Sequence, residues 1–409
     1  MPTASPLVTG PQAASVSSGD RAAIVTTVKN FGALGESWVA YHLATGFMHL
    51  YIFFDDPSEL TTLDLQARFS KTCVSCIPHD ATLRAAWAAL PTDKRMLHLA
   101  ANEVQTRQQL NARHAISLAH ARGIDWLLHI DADELFYPGP RGDAATHFRA
   151  LSQRDVATFC YYNHEAVPET HGIVDPFREV TLFKRSLEVV ERSDRAAAAV
   201  DFWQTRQEGS FFYYYDNGKA AVRVRPGARP LSVHEWIPGS ADGMQHWYSN
   251  MREPWDGRGE LGRIVQHMES DACILHYPCY NAEVRALRPS ASGVATSRSV
   301  CWPPRRCMRV SHWLESRPFQ ALWVRWRRGN DNYRLGGREE PPPLHAHVCR
   351  AADAAYTRGG EAAARVTVRR LFEEQVMLED ARQAEEQIFA GVCMRIRAPS
   401  RTLAAVRPR

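Results

Sequence analysis

The strongest constraint on the fold is an apolar run that ends abruptly in acidic residues. Residues 126–130 (Trp-Leu-Leu-His-Ile) can cross a core as a buried strand, but Asp131, Asp133 and Glu134 follow almost at once. An isolated buried carboxylate costs several kcal/mol, so these side chains need partners. In a strand, Asp131 and Asp133 share a face. The pattern predicts a strand that opens into a cleft holding a hard divalent cation, with a solvated acidic turn as the alternative.

The composition excludes several classes of protein. The 409 residues, 45% hydrophobic and 23% charged, predict a globular protein of one large domain or two, and the net charge of +4 is too mild to indicate nucleic acid as a partner. No apolar stretch predicts a membrane-spanning helix. Residues 1–20 predict a disordered lead without signal-peptide features, so a cytoplasmic location is the default expectation. The nine cysteines predict free thiols, and Cys73-x-x-Cys76 lacks the second pair that a zinc site needs.

Strand and helix patterns alternate along the first third of the chain. Four strand-like segments are separated by helical patterns and cover residues 22–28, 49–54, 73–77 and 126–130. Short links between such elements predict βαβ units and therefore parallel strands. The predicted class is α/β, a mostly parallel, Rossmann-like sheet flanked by helices. Ligands of such sheets collect at the carboxyl ends of the strands, where Asn30, Asp55 and Asp131 fall.

The pattern becomes less regular after residue 138. Further strands are predicted at residues 156–162, 180–183 and 274–277, together with a hairpin formed by residues 211–215 and 220–224. Four regions are predicted: a lead (1–20), a main domain with halves 21–137 and 138–280, an irregular basic segment (281–345) and a C-terminal helical extension (346–409). The basic segment contains interleaved arginine and tryptophan residues, for which a solvated amphipathic helix is favoured over phosphate or nucleic-acid binding.

Several segments resemble the family 2-like and family 92-like glycosyltransferases. In order, they are residues 28–30 (Val-Lys-Asn), 36–47 (Glu-Ser-Trp-Val-Ala-Tyr-His-Leu-Ala-Thr-Gly-Phe), 51–58, 108–114 and 125–134. The resemblance implies a GT-A fold, a nucleotide-sugar donor of the UDP or GDP type, and a hydroxyl acceptor on a glycan, protein or lipid. Two departures stand out: Phe31 replaces the family's acidic residue, and residues 281–310 lack its basic and aromatic segment.

The acidic residues after the buried strand are expected to hold the metal ion. Mn²⁺ or Mg²⁺ bound to Asp131 and Asp133 would stabilise the charge that develops on a leaving diphosphate. The resemblance also implies a late histidine ligand. His276 fits by position at the end of a strand, and His234 is its competitor.

The donor-binding residues are expected at the strand ends and on the helix before the acidic turn. A carboxylate such as Asp55 suits a base N–H or a ribose hydroxyl, and Lys219 and Arg223 suit the diphosphate. The predicted set is Lys29, Asn30, Asp55, Asn111, Asp131, Lys219 and Arg223.

An inverting transfer, which is the expected stereochemistry, needs a general base. Glu235 and Glu165 are equal candidates, and Asp201 is a third carboxylate in the same half of the chain.

Two other functions stay open. A non-catalytic nucleotide-sugar or glycan-binding module is suggested by the departures at Phe31 and residues 281–310. A sugar nucleotidyltransferase would use a similar sheet and acidic metal site, but it would need a glycine-rich loop after the first strand, which residues 29–32 (Lys-Asn-Phe-Gly) do not supply.

Overall fold

Two sheets and their flanking helices form the part of the chain that the structure, a computed structural model, describes. The described residues are 20–29, 31–32, 34–91, 94–140, 142–170, 173–186, 190, 193–199, 218–239, 244–248, 263–266, 271–277, 358 and 381–396. The predictions for Asn30, Asp201, the first strand of the hairpin and the basic segment lie outside these ranges, as does nearly all of the predicted lead. No helix among the described residues has the length and apolar character needed to cross a membrane.

The strands and helices follow one another in a mixed order. The strands are β1 (Ala22–Val28), β2 (His49–Phe54), β3 (Val74–Pro78), β4 (Trp126–His129), β5 (Glu134–Tyr137), β6 (Val156–Cys160), β7 (Asn163–Ala166), β8 (Leu182–Lys184), β9 (Ala220–Arg223), β10 (Arg229–Pro230), β11 (Trp236–Ile237), β12 (Gln245–Tyr248), β13 (Arg263–Gln266), β14 (Cys273–His276) and β15 (Cys393–Arg395). The helices are α1 (Leu34–Ala44), α2 (Thr61–Arg68), α3 (Ala81–Ala89), α4 (Lys94–Leu99), α5 (Val104–Ala121), α6 (Ala144–Ser152), α7 (Pro176–Glu179) and α8 (Ala381–Phe389).

The larger sheet confirms the predicted α/β class. Its strand order is β13-β12-β6-β9-β4-β1-β2-β3. Every neighbouring pair is parallel except the two pairs that involve β9, which runs antiparallel to both β4 and β6. The carboxyl ends of β1, β2 and β4 therefore meet at one edge, as βαβ connectivity requires.

Helices cover both faces of this sheet, which explains why its central strands are apolar throughout. In β1, Ala22, Ile24 and Val28 pack into one core with α1 and α6, while Ala23 and Val25 pack into a second core with α5. All seven residues of β1 are buried. Such double coverage is typical of parallel sheets and fits the continuous apolar run of this strand.

A smaller sheet of five strands, in the order β15-β8-β7-β14-β5, lies beyond the acidic turn. In this sheet β14 pairs antiparallel with β5 and parallel with β7. The strand predicted over residues 156–162 ends at Cys160 as β6 of the larger sheet, and the chain then enters the smaller sheet as β7. The C-terminal extension is helical only in part, because β15 follows α8 and pairs with β8.

Candidate active site

The acidic residues form a turn between the two sheets, not the end of a strand. The chain leaves the larger sheet after His129 and enters the smaller one at Glu134. The Glu134 N–H donates to the Asp131 carbonyl oxygen (3.2 Å), and the Asp131 N–H donates to Glu134 Oε2 (2.7 Å). These reciprocal bonds close the turn. The strand-period argument for Asp131 and Asp133 is therefore wrong, and their side chains have different partners.

Asp131 is bound on both carboxylate oxygens. Gln108 Nε2 donates to Oδ1 (2.9 Å) and Lys219 Nζ donates to Oδ2 (2.6 Å). The Lys219 side chain is only 1% exposed, and its Nζ also lies 3.8 Å from Glu134 Oε2. Burial alone would raise the pKa of Asp131, but the charges of Lys219 and His129 lower it to about 2. The ion pair is thus a fixed part of the site.

A close approach of two backbones places Lys219 beside the acidic turn. Lys219 precedes β9, the antiparallel strand between β4 and β6, and its carbonyl accepts the Tyr161 N–H (2.8 Å). A Cβ on Gly218 would lie 1.6 Å from the Tyr161 carbonyl oxygen, so only glycine fits there. His234 Nδ1 donates to the Gly218 carbonyl (2.9 Å) and secures the same segment.

A second buried group joins Asp133 of the acidic turn to His276 and Glu165 of the smaller sheet. His276 Nδ1 lies 2.9 Å from Glu165 Oε1, and its Nε2 lies 3.9 Å from Asp133 Oδ2. Asp133 Oδ2 is buried, and no hydrogen bond reaches it within the described part of the chain. The Tyr277 N–H donates to the Asp133 carbonyl (2.9 Å), which ties the acidic turn to the end of β14.

The two groups together carry more negative than positive charge. The carboxylates are those of Asp131, Asp133, Glu134 and Glu165, and the basic groups are those of Lys219, His276 and Lys184, which stands opposite Glu165 in β8. Burial raises the pKa of Asp133 well above its usual range, although His276 opposes this. Burial alone would lower the pKa of His276, but Glu165 and Asp133 raise it to about 10.

These residues fit a divalent cation in their chemistry. The buried, unbonded Oδ2 of Asp133 is an oxygen ligand of the kind that Mn²⁺ and Mg²⁺ prefer, and imidazole is a further transition-metal ligand. In the described ranges, no group of three His, Cys, Asp or Glu side chains already has the arrangement of a metal site. Cys73 and Cys76 are therefore not part of such a group either. Asp131 is instead held by Lys219.

Helix α5 connects the strand ends to the acidic turn. Arg107 donates from Nε and Nη2 to both oxygens of Asp55 (2.5 and 2.7 Å) after β2. Asn111 Nδ2 donates to Thr27 Oγ1 on β1 (2.9 Å), and its buried Oδ1 has no hydrogen bond among the described residues. Arg107 and Gln108 were not among the site residues predicted from the sequence. The signal that identifies them is a set of polar residues on the sheet-facing side of an otherwise apolar helix face.

The structure brings together only part of the predicted site. Lys29 follows β1 and lies close enough to Asp56 to help lower the pKa of that carboxyl, after the larger effect of Ser58. Arg223 does not join the site, because it pairs with Trp126 at the opposite end of β4 and its guanidinium lies 5.7 Å from the Trp126 ring centroid. The antiparallel course of β9 separates Arg223 from Lys219.

The two candidate bases have different surroundings. Glu165 is 1% exposed and bonded to His276. Glu235 is partly exposed, and its carbonyl accepts the N–H groups of Leu231 and Ser232 (2.9 and 3.2 Å), which closes a short loop next to His234.

Three side chains of α1 satisfy the free edge of β5, which is the outermost strand of the smaller sheet. Trp38 Nε1 donates to the Glu134 carbonyl (2.8 Å), and Tyr41 Oη donates to the Phe136 carbonyl (2.9 Å). The Phe136 N–H donates to His42 Nε2 (3.2 Å). The Trp-Val-Ala-Tyr-His sequence therefore replaces a neighbouring strand and fixes the start of β5, directly after the acidic turn.

Comparison with known proteins gives partial matches. No protein-family model matches the chain. Two glycosyltransferase-like proteins of Arabidopsis thaliana are 33% and 34% identical to it over 135 and 140 residues. Each match covers 33% of this chain, but only 30% and 26% of the relatives. The chain thus spans less than a third of the curated relatives it matches.

Three solved structures show weak similarity. Core-mannan synthase A of Aspergillus fumigatus, in its Mn/GDP form, is 14% identical over 40% of this chain and 47% of that chain, with a TM-score of 0.24. S. aureus TarS is 10% identical over 91% of this chain and 92% of that chain, with a TM-score of 0.29. UDP-glucose pyrophosphorylase complexed with UDP-glucose is 10% identical over 41% of this chain and 67% of that chain, with a TM-score of 0.20. Scores this low support no conclusion about function, so the fold class rests on the sheet itself.

Proposed function

We propose that the protein is a metal-dependent glycosyltransferase of the GT-A type that moves a sugar from a nucleotide-sugar donor to a hydroxyl acceptor. The observation that carries the proposal is the buried Asp133 Oδ2, unbonded and facing His276, at the carboxyl edge of a mostly parallel sheet. The glycosyltransferase-like names of the two plant relatives support the same reaction class.

Asp133 and His276 would hold the cation. When bound, Mn²⁺ or Mg²⁺ would act as a Lewis acid that stabilises negative charge on the departing nucleoside diphosphate. Asp131 lies in the same turn, but it is already paired with Lys219. Its main role in the proposal is to fix the Lys219 ammonium near the diphosphate, where a preorganised positive charge stabilises the same developing charge.

The strand ends and α5 would bind the rest of the donor. The Asp55–Arg107 pair offers charged hydrogen-bonding groups near the ends of β1 and β2, where base and ribose are expected. Lys29 lies at the end of β1, and the unbonded Oδ1 of Asn111 lies beside the same strand. A UDP or GDP donor fits these groups, and the acceptor is the hydroxyl of a glycan, protein or lipid.

For an inverting transfer, Glu235 is the base candidate that we favour. It is partly exposed and adjacent to His234, whose ring bonds the segment that carries Lys219. Glu165 is buried against His276 and cannot reach an acceptor hydroxyl without losing that bond.

The first test is a thermal-stabilisation screen of nucleotide sugars with and without Mn²⁺, followed by a transfer and hydrolysis assay with each stabilising donor. Asp133→Asn preserves shape and removes the charge. We expect its metal-dependent turnover to fall about 100-fold or more, because the lost stabilisation is worth several kcal/mol. Asp125→Asn is the matched control, since Asp125 lies at the other end of β4 and bonds Arg21.

Three other outcomes would contradict the proposal, each in a different way. Equal turnover by the wild type and Asp133→Asn would exclude the metal role of Asp133. Donor binding without any transfer or hydrolysis would replace the proposal with a non-catalytic binding module. Formation of a nucleoside triphosphate from the donor and pyrophosphate would indicate a sugar nucleotidyltransferase.

A further inference from the structure

The neighbourhood of His276 is determined by strand register. β14 lies between β5 and β7, and His276 stands opposite Glu134 in one strand and Glu165 in the other. Directly paired residues in neighbouring strands place their side chains close together on one face. The contact between His276 and Glu165 therefore follows from how the smaller sheet is assembled.

The hydrogen bond between these residues fixes which nitrogen of His276 faces Glu165 and which faces Asp133. An ionised carboxylate only accepts hydrogen bonds, so Nδ1, at 2.9 Å from Glu165 Oε1, must be the donor. In the neutral form of the ring, which is the form that binds a metal ion, the free lone pair is then on Nε2. Nε2 is also the nitrogen on the Asp133 side, 3.9 Å from the unbonded Oδ2.

Glu165 is itself held in place. Its side chain is 1% exposed, and Asn163 Nδ2 donates to the same Oε1 at 3.5 Å. Lys184, which is also buried, stands opposite Glu165 in β8. A buried carboxylate that is bonded to the His276 ring can orient that ring, but it is poorly placed to abstract a proton from a bound acceptor.

We propose that Glu165 is a positioning residue that holds the His276 ring with Nε2 directed toward Asp133, and so prepares the two residues to bind a divalent cation. This inference rests on the metal dependence in the proposed function. A carboxylate behind a metal-binding histidine sets the ring orientation and raises its basicity, and its loss commonly weakens metal binding 10- to 100-fold.

The test measures Mn²⁺ affinity of the full chain without any substrate, by calorimetry and by electron paramagnetic resonance. Glu165→Ala is expected to bind Mn²⁺ about 10- to 100-fold more weakly than the wild type. Glu165→Gln keeps an oxygen that accepts from Nδ1, so it should restore part of the affinity. Glu169→Gln is the matched control, because Glu169 pairs with Arg395 away from the turn, and it should bind like the wild type.

A structural role alone would change stability without changing Mn²⁺ affinity, so thermal unfolding is recorded for every variant. If Glu165→Ala fails to fold, Glu165→Gln takes its place and is expected to show a measurable loss of affinity. Wild-type affinity in a folded Glu165 variant would overturn this inference and leave the proposed function standing. No Mn²⁺ binding by the wild type would overturn the metal dependence and this inference together.

Discussion

His42 makes the stability of this protein sensitive to mild acid. Its ring is fully buried; Nδ1–H donates to the Trp38 carbonyl (2.9 Å) and Nε2 accepts the Phe136 N–H (3.2 Å). A proton on Nε2 would remove the acceptor of the Phe136 N–H. Burial lowers the pKa of His42 from 6.5 to about 3, although the bond to Trp38 opposes this shift. The surrounding rings of Trp38, Tyr41 and Phe47 bring no compensating charge.

The sign follows from proton binding. Below pH 6.5 the unfolded chain takes up a proton at His42 that the folded chain refuses until the pH is near 3, so the free energy of unfolding falls as the pH is lowered through this window. The loss is about 1.4 kcal/mol per pH unit, or about 2 kcal/mol between pH 7 and pH 5.

The assay is urea unfolding followed by tryptophan fluorescence at both pH values, for the wild type and His42→Gln. Glutamine can donate and accept but does not titrate, so its loss between pH 7 and pH 5 should be smaller than that of the wild type by about 2 kcal/mol. His164, whose burial lowers its pKa to about 3, contributes equally to both proteins and cancels. The same pH-dependent loss in both proteins would refute the reasoning.

Two further predictions concern the acidic turn. Lys219→Met leaves the Asp131 charge without its main partner, so the free energy of unfolding should fall by up to about 3 kcal/mol. Adding Asp131→Asn removes the unpaired charge and should recover part of this loss, as measured by urea titration. Additive effects of the two substitutions would contradict the pairing. Gly218→Ala places a Cβ against Tyr161, and we expect a loss of about 2–4 kcal/mol together with weaker donor binding, measured by chemical unfolding and calorimetry. Gly218 is not among the described glycines with positive φ, so backbone strain does not explain a loss there, and a Gly218→Ala variant as stable as the wild type would contradict the steric explanation.

The sequence predicted the larger sheet well because its signals are local. Continuous apolar runs such as those of β1 and β2 give parallel strands buried on both faces, and the strand ends locate Asp55 and Asp131 at one edge. The course of β9 has no comparable local signal. Its antiparallel insertion brings Lys219 to Asp131 and carries Arg223 away, and only long-range pairing decides this.

The sequence predicted a function for each site residue of the smaller sheet, but it did not predict that these residues contact each other. Glu165 and His276 each stood out in the sequence, one as a base and the other as a ligand. Their contact depends on the register of β7 and β14, which are separated by more than a hundred residues. Likewise, the Trp-Val-Ala-Tyr-His sequence is visible as a motif, but its bonds to the edge of β5 depend on how the helix packs.

The acidic turn also has a consequence for the order of folding. Its carboxylates lie close together in sequence, whereas their basic partners are distant: Lys219 is 88 residues from Asp131, and His276 follows Asp133 only after the strands from β5 to β13. Closing such long loops is slow and costs chain entropy. Until they close, hydration of the carboxylates is cheaper than burial, so the turn resists early collapse. We therefore expect desolvation of the turn in the last stage of folding, when both sheets are complete.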